Sequence, residues 1–386
     1  MTGRSSILLV ALLGSLALGS GAQARLAISG NDGAQLQKGE DIGETPDSVS
    51  VIDLASYPPK VIGDVKVPAS MIGPPEAVAV ARDDSFAIVT ASQKYNPADP
   101  LHAADDDKVS VIDLSTPSRP RVLQTIAAGP GASGVAMNKP QTLVLVAAKM
   151  DGAIHVFHLA GKTLTHVGRV DLGAGAQPTD VVFAADGRHA YAVVQGVNKI
   201  MELAVDGQKV TLTGQDVATG KAPYGAVVTP DGNWLINTNV GGALTGNDHT
   251  GTLTMVDLRA HRVALSLPVG KTPEHAFISP DRRYVGVVLA NGTANVKSDP
   301  RYDGLVGIIK IFAIGPGTLT PVAEADSCHW AQGATFSPDG RLVLQQCAAE
   351  RSILVYRFDG KSLTQDKAAA ISFVSRPGSI ATAASH

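Results

Sequence analysis

The residues of this chain best suited to acid–base chemistry are an adjacent pair, Glu274 and His275. A carboxylate and an imidazole can give and take protons near neutral pH. Neighbouring residues on a β-strand point to opposite faces, so the two side chains need not meet. A carboxyl group from another part of the chain, Glu76, is expected to face Glu274 and raise a pKa. We expect Glu274, His275 and Glu76 to be catalytic, with turn capping or solvation as the structural alternative.

A repeated segment holds these residues. It consists of Pro or its equivalent, a short apolar run, an S/T-P-D-G turn and a second apolar run. Residues 223–232 read PYGAVVTPDG, residues 273–281 read PEHAFISPD, residues 331–340 read AQGATFSPDG, and weaker copies begin at positions 75, 132 and 178. Pro, Asp and Gly each favour such turns. A third strand of the form V-x-V-x-D-L follows, as in residues 109–114.

The repeat predicts an all-β fold. Each unit holds four short strands, and such a sheet cannot bury both faces alone, so the copies must pack face to face around an axis. Six complete units are followed by a seventh first strand at residues 377–383, and residues 26–29, 48–54 and 60–67 supply its partners. We predict a seven-bladed β-propeller with four strands per blade, whose last blade is closed by strands from both ends of the chain.

Composition narrows the class of protein. The chain has 386 residues, 44% of them hydrophobic, with two Cys and a net charge of −3. This excludes general disorder, a disulfide-framework mini-fold and a Cys-rich zinc domain. No Lys/Arg cluster is present, so we expect no nucleic-acid partner. No phosphate-binding or dinucleotide motif stands in the right context, and we expect no cofactor and no metal.

The first 24 residues have the layout of a secretory signal peptide. Arg4 precedes an apolar run at residues 7–18, and residues 22–24 form an A-x-A cleavage site. The run is too short to span a membrane. We predict cleavage after Ala24, a single propeller domain at residues 25–386, no membrane span, and a periplasmic or secreted location.

The two cysteines are expected to meet. Cys328 precedes the first strand of the sixth unit, and Cys347 ends its second strand. Pairing these strands through the turn places residue 331 opposite residue 347. We predict a disulfide in an oxidising compartment, with a copper or redox site that includes His329 as the alternative.

Aligning the seven first strands by their turns predicts two rings of side chains at one mouth of a central channel. The long loops at residues 30–47, 92–108, 239–251 and 290–304 should rise on the same face, and loops on a rigid scaffold often carry function. A water-filled polar channel is the alternative. The first ring is Glu76, Ser133, Thr179, Tyr224, Glu274, Gln332 and Gly378. The second is Ala77, Gly134, Asp180, Gly225, His275, Gly333 and Ser379.

The repeat pattern resembles the YVTN-type and lactonase-like seven-bladed propellers. That family opens or forms lactones at the channel mouth, with a His at the position of Thr179 and a D-R-I-like segment that residues 198–200 (N-K-I) resemble, with Lys199 for Arg. The resemblance implies an exported hydrolase or isomerase acting on a small polar, lactone-type substrate. The substrate-binding candidates are Ser133, Thr179, Asp180, Tyr224, Gln332, Arg376 and Lys199.

A non-catalytic propeller is the alternative function. It would bind a small ligand or a protein partner on its loop-rich face. Its binding surface would use Tyr95, His102, Arg301 and Tyr302. The enzyme would instead need a deep polar pocket at which Arg376 converges with the three catalytic candidates.

Overall fold

The computed structural model describes residues 25–33, 45–70, 73, 75–99, 102–242, 250–294, 300, 302–383 and 385. The predicted signal peptide and parts of the four long loops lie outside these residues. The strands, in chain order, are β1 Leu26–Asp32, β2 Ser48–Asp53, β3 Lys60–Lys66, β4 Val78–Val80, β5 Phe86–Lys94, β6 Ala104–Asp113, β7 Arg121–Ala127, β8 Ala132–Met137, β9 Leu143–Ala148, β10 Ala153–Ala160, β11 Thr163–Asp171, β12 Pro178–Phe183, β13 His189–Val194, β14 Lys199–Asp206, β15 Lys209–Ala218, β16 Pro223–Val228, β17 Trp234–Asn239, β18 Gly251–Asp257, β19 Arg262–Gly270, β20 Pro273–Ile278, β21 Tyr284–Leu289, β22 Ile308–Gly315, β23 Thr318–Asp326, β24 Ala331–Phe336, β25 Leu342–Cys347, β26 Ser352–Phe358, β27 Leu363–Gln365, β28 Ile371–Ser372 and β29 Arg376–Thr382. Short 3-10 helices span Gln195–Val197, Tyr302–Gly304 and Lys367–Ala369.

The strands form seven antiparallel sheets, which confirms the predicted propeller. Blades 1 to 5 are β4–β7, β8–β11, β12–β15, β16–β19 and β20–β23. Blade 6 contains β24–β27, with β28 also paired to β26. Blade 7 has the order β29-β1-β2-β3, so strands from both ends of the described chain close it as predicted. Closure removes the open sheet edges that favour aggregation.

The apolar core lies between the blades. Seven clusters of buried side chains each combine residues from two neighbouring blades, including the pair formed by blades 7 and 1. In the cluster between blades 1 and 2, for example, Ile88 packs with Val144 and Phe157. The inner three strands are apolar on both faces because each blade is covered on two sides. The repeat therefore specifies a ring rather than an open stack.

The turn between the first and second strands of each blade lies on the face opposite to the long loops. In blades 3, 4 and 6 a glycine takes the left-handed conformation there, with φ between 67° and 71° at Gly187, Gly232 and Gly340. Blade 5 places Arg282 at this position with φ of 61°. A left-handed backbone is unfavourable for a residue with a Cβ atom, so the side chain of Arg282 is retained against a conformational cost.

The predicted disulfide is present between Cys328 and Cys347, with an S–S distance of 2.04 Å. Ala331 pairs with Cys347 across β24 and β25, which is the predicted register. Among the described residues, no helix has the length and apolar character needed to cross a membrane.

Candidate functional site

The polar ring predicted from the aligned first strands is buried inside the propeller. Ser133, Thr179, Tyr224 and Gln332 each keep 2% or less of their surface exposed. The Thr179 hydroxyl donates a hydrogen bond of 2.7 Å to the backbone oxygen of Tyr224 in the next blade. These residues therefore help to join neighbouring blades at the axis.

The mouth above this ring, where the long loops rise, is approached by the connection between β3 and β4. Gly73 of this connection packs on Ser133, since a Cβ atom placed at Gly73 would lie 3.0 Å from Ser133 Oγ. Burial and the charges of two carboxyl groups raise the pKa of Tyr224 well above its usual value, and a hydrogen bond from the amide of Gly73 opposes this shift. The expected entrance is thus covered at Gly73 by backbone.

A cavity of 260 Å³ occupies the channel on the other side of the ring. Its inner end contains Glu76, Asp180 and His275, its walls are mostly aliphatic residues and Phe from the first strands, and its outer end is lined by residues of the first turns. The cavity therefore opens toward the face opposite to the long loops. The expectation of a site at the loop-rich mouth differs from this arrangement, because Gly73 of the β3–β4 connection packs on the polar ring at that mouth.

Glu76 and His275 lie beside each other at the inner end, with His275 Nε2 3.6 Å from Glu76 Oε1. His275 Nδ1 accepts a hydrogen bond of 2.9 Å from the amide of Ala334, so the ring proton of the neutral imidazole must sit on Nε2. Burial lowers the pKa of His275 to about 3. His275 is therefore a neutral ring whose protonated nitrogen is the one that lies 3.6 Å from Glu76 Oε1.

The carboxyl group of Glu76 is shielded, and neither oxygen has a hydrogen-bond partner of standard geometry within the described residues. The side chain keeps 13% of its surface exposed and lines the inner end of the cavity, and each of its two oxygens is almost fully buried. It packs directly on Gly225, where a Cβ atom would lie 2.2 Å from Oε1. Burial and the charge of Asp180 raise the pKa of Glu76 well above its usual value, against a smaller opposing effect of the Ala276 amide.

Asp180 completes the carboxyl pair. Its Oδ1 accepts from the amide of Val181 at 2.8 Å, and its Oδ2 accepts from the amide of Ala226 at 3.0 Å. Burial raises its pKa to about 7 against the effect of these two amides. A Cβ atom at Gly134 would lie 2.4 Å from Oδ1. The small second-ring residues Gly134 and Gly225 thus make room for the carboxyl groups.

Glu274 is buried nearby but is not among the residues that line the cavity. Gln332 Nε2 donates a hydrogen bond of 2.9 Å to Glu274 Oε2. Burial raises the pKa of Glu274 to about 8, against the effect of this hydrogen bond. Glu274 therefore retains a proton at neutral pH and lies on the far side of the strand from His275, as the alternation of a β-strand requires.

Two further candidates lie away from the cavity. Lys199 is on the surface of blade 3, where it pairs with Asp216 at 3.1 Å. Arg376 is buried, and its Nη1 donates to the backbone oxygens of Ala348 and Ala349 at 2.6 and 3.3 Å. Arg376 thus contacts blade 6 backbone, and no described contact joins it to the carboxyl groups.

The surface proposed for the binding alternative is only partly described. Arg301 lies outside the described residues. Tyr302 is buried and stacks on His329 with 4.1 Å between ring centroids. His102 is exposed and pairs with Asp99. The structure therefore does not bring these side chains together on one described surface.

Sequence reasoning missed the outer end of the cavity. Three cations line it: Arg82 and Lys139 at the Pro position of the first turns in blades 1 and 2, and Arg282 at the glycine position in blade 5. The departure of these three turns from S-P-D-G was visible in the sequence. Their convergence was not, because it depends on how the blades close into a ring.

The inner end of the cavity has the elements of acid–base catalysis. The pKa of Glu76 is raised well above its usual value, the pKa of Asp180 is raised to about 7, and Nε2 of the neutral His275 ring lies 3.6 Å from Glu76 Oε1. Two carboxyl groups whose environments give them different affinities for a proton can serve as acid and base in one reaction.

Comparisons with solved structures agree with the fold. The periplasmic gluconolactonase PpgL of Pseudomonas aeruginosa is 14% identical over 93% of this chain and 98% of its own, with a TM-score of 0.68. A 6-phosphogluconolactonase-like protein of Bacteroides fragilis is 16% identical over 94% of this chain and 99% of its own, with a TM-score of 0.69. The dihydro-heme d1 dehydrogenase NirN is 13% identical over 94% of this chain and 76% of its own, with a TM-score of 0.57.

No protein-family model matches the sequence, and no curated protein matches it significantly. At these identities the structural similarities establish the architecture alone. The chain is a seven-bladed β-propeller whose structural neighbours include lactonase-like propellers.

Proposed function

We propose that this chain is a lactonase-like hydrolase that opens a small cyclic ester at the inner end of the central cavity. The observation that carries the proposal is the shielded pair of Glu76 and Asp180, whose pKa values are both raised by burial, at the end of a cavity that a small molecule can enter. The sequence pattern and the lactonase-like structural neighbours support the same class of reaction.

Asp180 acts as general base in the proposed reaction. In its ionised form it takes a proton from water as the water oxygen bonds to the ester carbonyl carbon. The amides of Val181 and Ala226 hold its two oxygens in place. Because its pKa is about 7, a large fraction is ionised at neutral pH.

Glu76 acts as general acid. When the tetrahedral intermediate collapses, the ring C–O bond breaks, and Glu76 gives its proton to the departing alkoxide oxygen. The proton taken by Asp180 then restores the starting state of the pair, and the hydroxy acid product ionises in solution. His275 is a positioning residue, because its Nε2–H is directed at Glu76 Oε1.

A pH-stat assay tests the proposal. It measures the protons released when a protein of residues 25–386 is mixed with each of a panel of sugar, alkyl and aromatic lactones. We expect release above the spontaneous rate for at least one lactone. The rate should fall by about 10²-fold or more in Glu76→Gln and Asp180→Asn, in line with the usual size of general acid–base contributions. Glu324→Gln, which removes an exposed carboxyl on β23 (the ion-pair partner of Lys310), is the matched control.

Absence of release across the panel, or equal rates in Glu76→Gln and the control, would contradict the proposal. Each reaction is also run with and without EDTA, which decides whether a metal ion takes part. His275→Asn should lower the rate less than Glu76→Gln and shift its pH profile, because the imidazole acts through Glu76.

Ligand binding without turnover is the second candidate function. The mostly apolar walls of the cavity favour it, because they would hold a small molecule without chemistry. Saturable binding of a lactone with no proton release would select this function.

We also propose export of the chain. The Cys328–Cys347 disulfide supports this, since such bonds persist mainly in oxidising compartments. N-terminal sequencing of the protein recovered from the source cell tests it. A start at Arg25 is expected, and an intact Met1 in the cytoplasmic fraction would contradict it.

A further inference from the structure

The acidic and basic residues that line the cavity lie at opposite ends, and the proposed reaction does not use the basic ones. Its lining residues include two acidic groups, Glu76 and Asp180, and both lie at the inner end. The three cations Arg82, Lys139 and Arg282 lie at the outer end. Apolar side chains separate the two ends. We call the three cations the basic collar.

The first strand of blade 1 sets the length of this arrangement. Glu76, Val78, Val80 and Arg82 all line the cavity and alternate along the chain, as residues on one face of a strand do. At about 3.3 Å per residue, Arg82 lies at most about 20 Å from Glu76. An apolar molecule of moderate length can therefore extend from the carboxyl pair to the collar.

The collar side chains converge although they come from distant blades. Arg82 belongs to blade 1 and Arg282 to blade 5, yet burial and the charge of Arg82 together lower the pKa of Arg282. Arg282 is held there in a left-handed backbone conformation that glycine occupies in blades 3, 4 and 6. Asp84 and Gln141 take the same conformation at the equivalent positions of blades 1 and 2.

The acidic residues of the same turns have other partners. Asp281 accepts hydrogen bonds from Ser279 Oγ and Arg283 Nε, both at 2.6 Å, and it does not line the cavity. Asp83 accepts from the amide of Ser85 at 3.1 Å and is also absent from the lining. Among the described residues that line the outer end of the cavity, three are therefore cations and none is acidic.

We infer that the cavity binds an amphipathic organic anion, which enters from the face of the first turns with its carboxylate or similar group at the basic collar and its apolar body against the channel walls. A volume of 260 Å³ is just below the range of about 300–1,000 Å³ usual for drug-sized ligands, so the occupant is small. The inference rests on the proposed function in taking this cavity as the substrate site, and it names the substrate class: an apolar lactone that carries an anionic group.

Equilibrium dialysis with three ten-carbon probes tests the binding: decanoate, decan-1-ol and decyltrimethylammonium. We expect decanoate to bind with one-to-one stoichiometry and at least tenfold more tightly than the alcohol, and the cation to bind most weakly. The double variant Arg82→Gln, Arg282→Gln should reduce the preference for decanoate over decan-1-ol to less than threefold. Arg283→Gln, which removes an exposed cation from the same turn as Arg282, is the matched control and should keep the preference.

Equal binding of decanoate and decan-1-ol, or an equal loss in the Arg283→Gln control, would overturn the inference. Ala226→Leu, which adds volume to the cavity wall, should weaken both probes, and unchanged binding would place them elsewhere and overturn it as well. Circular dichroism melting curves identify variants that fail to fold, and the collar variants are decisive because they alter only residues of the turns.

Parallel pH-stat measurements separate this inference from the proposed function. Charge-dependent decanoate binding with no turnover of any lactone would leave the inference standing and refute the hydrolase. Turnover of neutral lactones, with decanoate bound no more tightly than decan-1-ol, would support the hydrolase and refute the inference.

Discussion

The stability of the protein should fall as the pH rises, and Glu274→Gln should remove part of that fall. Burial raises the pKa of Glu274 from 4.5 to about 8. Above pH 4.5 the folded state therefore binds more protons at this site than the unfolded state, and the free energy of unfolding decreases with pH until the folded pKa is passed. For these two pKa values the loss is about 4 kcal/mol between pH 5 and pH 9.

Glu274→Gln keeps the shape of the side chain and its hydrogen bond, because an amide oxygen can still accept from Gln332. The variant should match the wild type at pH 5 to within about 1 kcal/mol and exceed it by about 3–4 kcal/mol at pH 9. Some slope should persist, since burial also raises the pKa values of Glu76, Asp180 and Asp47.

Urea unfolding at pH 5, 7 and 9, followed by the fluorescence of Trp234 and Trp330, measures these differences. The control is Glu324→Gln, an exposed carboxyl on the outer strand of the same blade, and its curve should follow the wild type. Parallel pH curves for Glu274→Gln and the wild type, with unchanged m-values, would refute the assignment of a buried proton to Glu274.

Three further predictions concern the cavity and the disulfide. Gly225→Ala should displace the carboxyl group of Glu76, lower the proposed turnover and destabilise the fold by about 1–3 kcal/mol. In the control variant Gly168→Ala the new Cβ atom meets no atom closer than 4.0 Å, so turnover should change little. Equal turnover in the two variants would contradict the proposed site. Replacing Cys328 and Cys347 together by Ala should lower the free energy of unfolding by about 3 kcal/mol, because the bond closes a loop across a separation of 19 residues, and unchanged urea unfolding would contradict this. The proposed turnover should rise with pH through about 7 as Asp180 ionises, then fall as its partner carboxyl loses its proton, and a pH-independent kcat/KM would be inconsistent with both roles.

The fold followed from the sequence because the repeat is a local signal. The S-P-D-G turns, the apolar first strands and the V-x-V-x-D-L strands each specify one blade, and the leftover strand at residues 377–383 required partners from the start of the chain. The disulfide followed from the same register, since Ala331 had to pair with Cys347.

The candidate site followed only in part. Alignment of the first strands predicted Glu76, Asp180 and His275 at neighbouring levels of the channel, and all three line the cavity. It could not separate the residues that line the cavity from those that face away, as Glu274 does, because this depends on the twist and inclination of each strand.

The features of the site that the sequence did not predict depend on how distant blades meet when the ring closes. The packing of Gly73 on Ser133 at the loop-rich mouth, and the interaction of Arg82 with Arg282, join residues far apart in sequence. No local pattern encodes such contacts. The sequence signal was the departure of the first turns of blades 1, 2 and 5 from S-P-D-G, since Asp84, Gln141 and Arg282 take the position that glycine occupies in blades 3, 4 and 6.

The proposed acid catalysis requires the buried carboxyl group of Glu76, at the inner end of the cavity, to hold a proton at neutral pH. Infrared spectroscopy of the carboxyl C=O stretch, with the protein titrated from pH 4 to pH 10, tests it most directly. We expect bands of protonated carboxyl groups that persist at pH 7, one of which is lost in Glu76→Gln. A second band, lost in Glu274→Gln, belongs to the buried carboxyl group outside the cavity. Complete ionisation of all carboxyl groups by pH 7 in the wild type would contradict it.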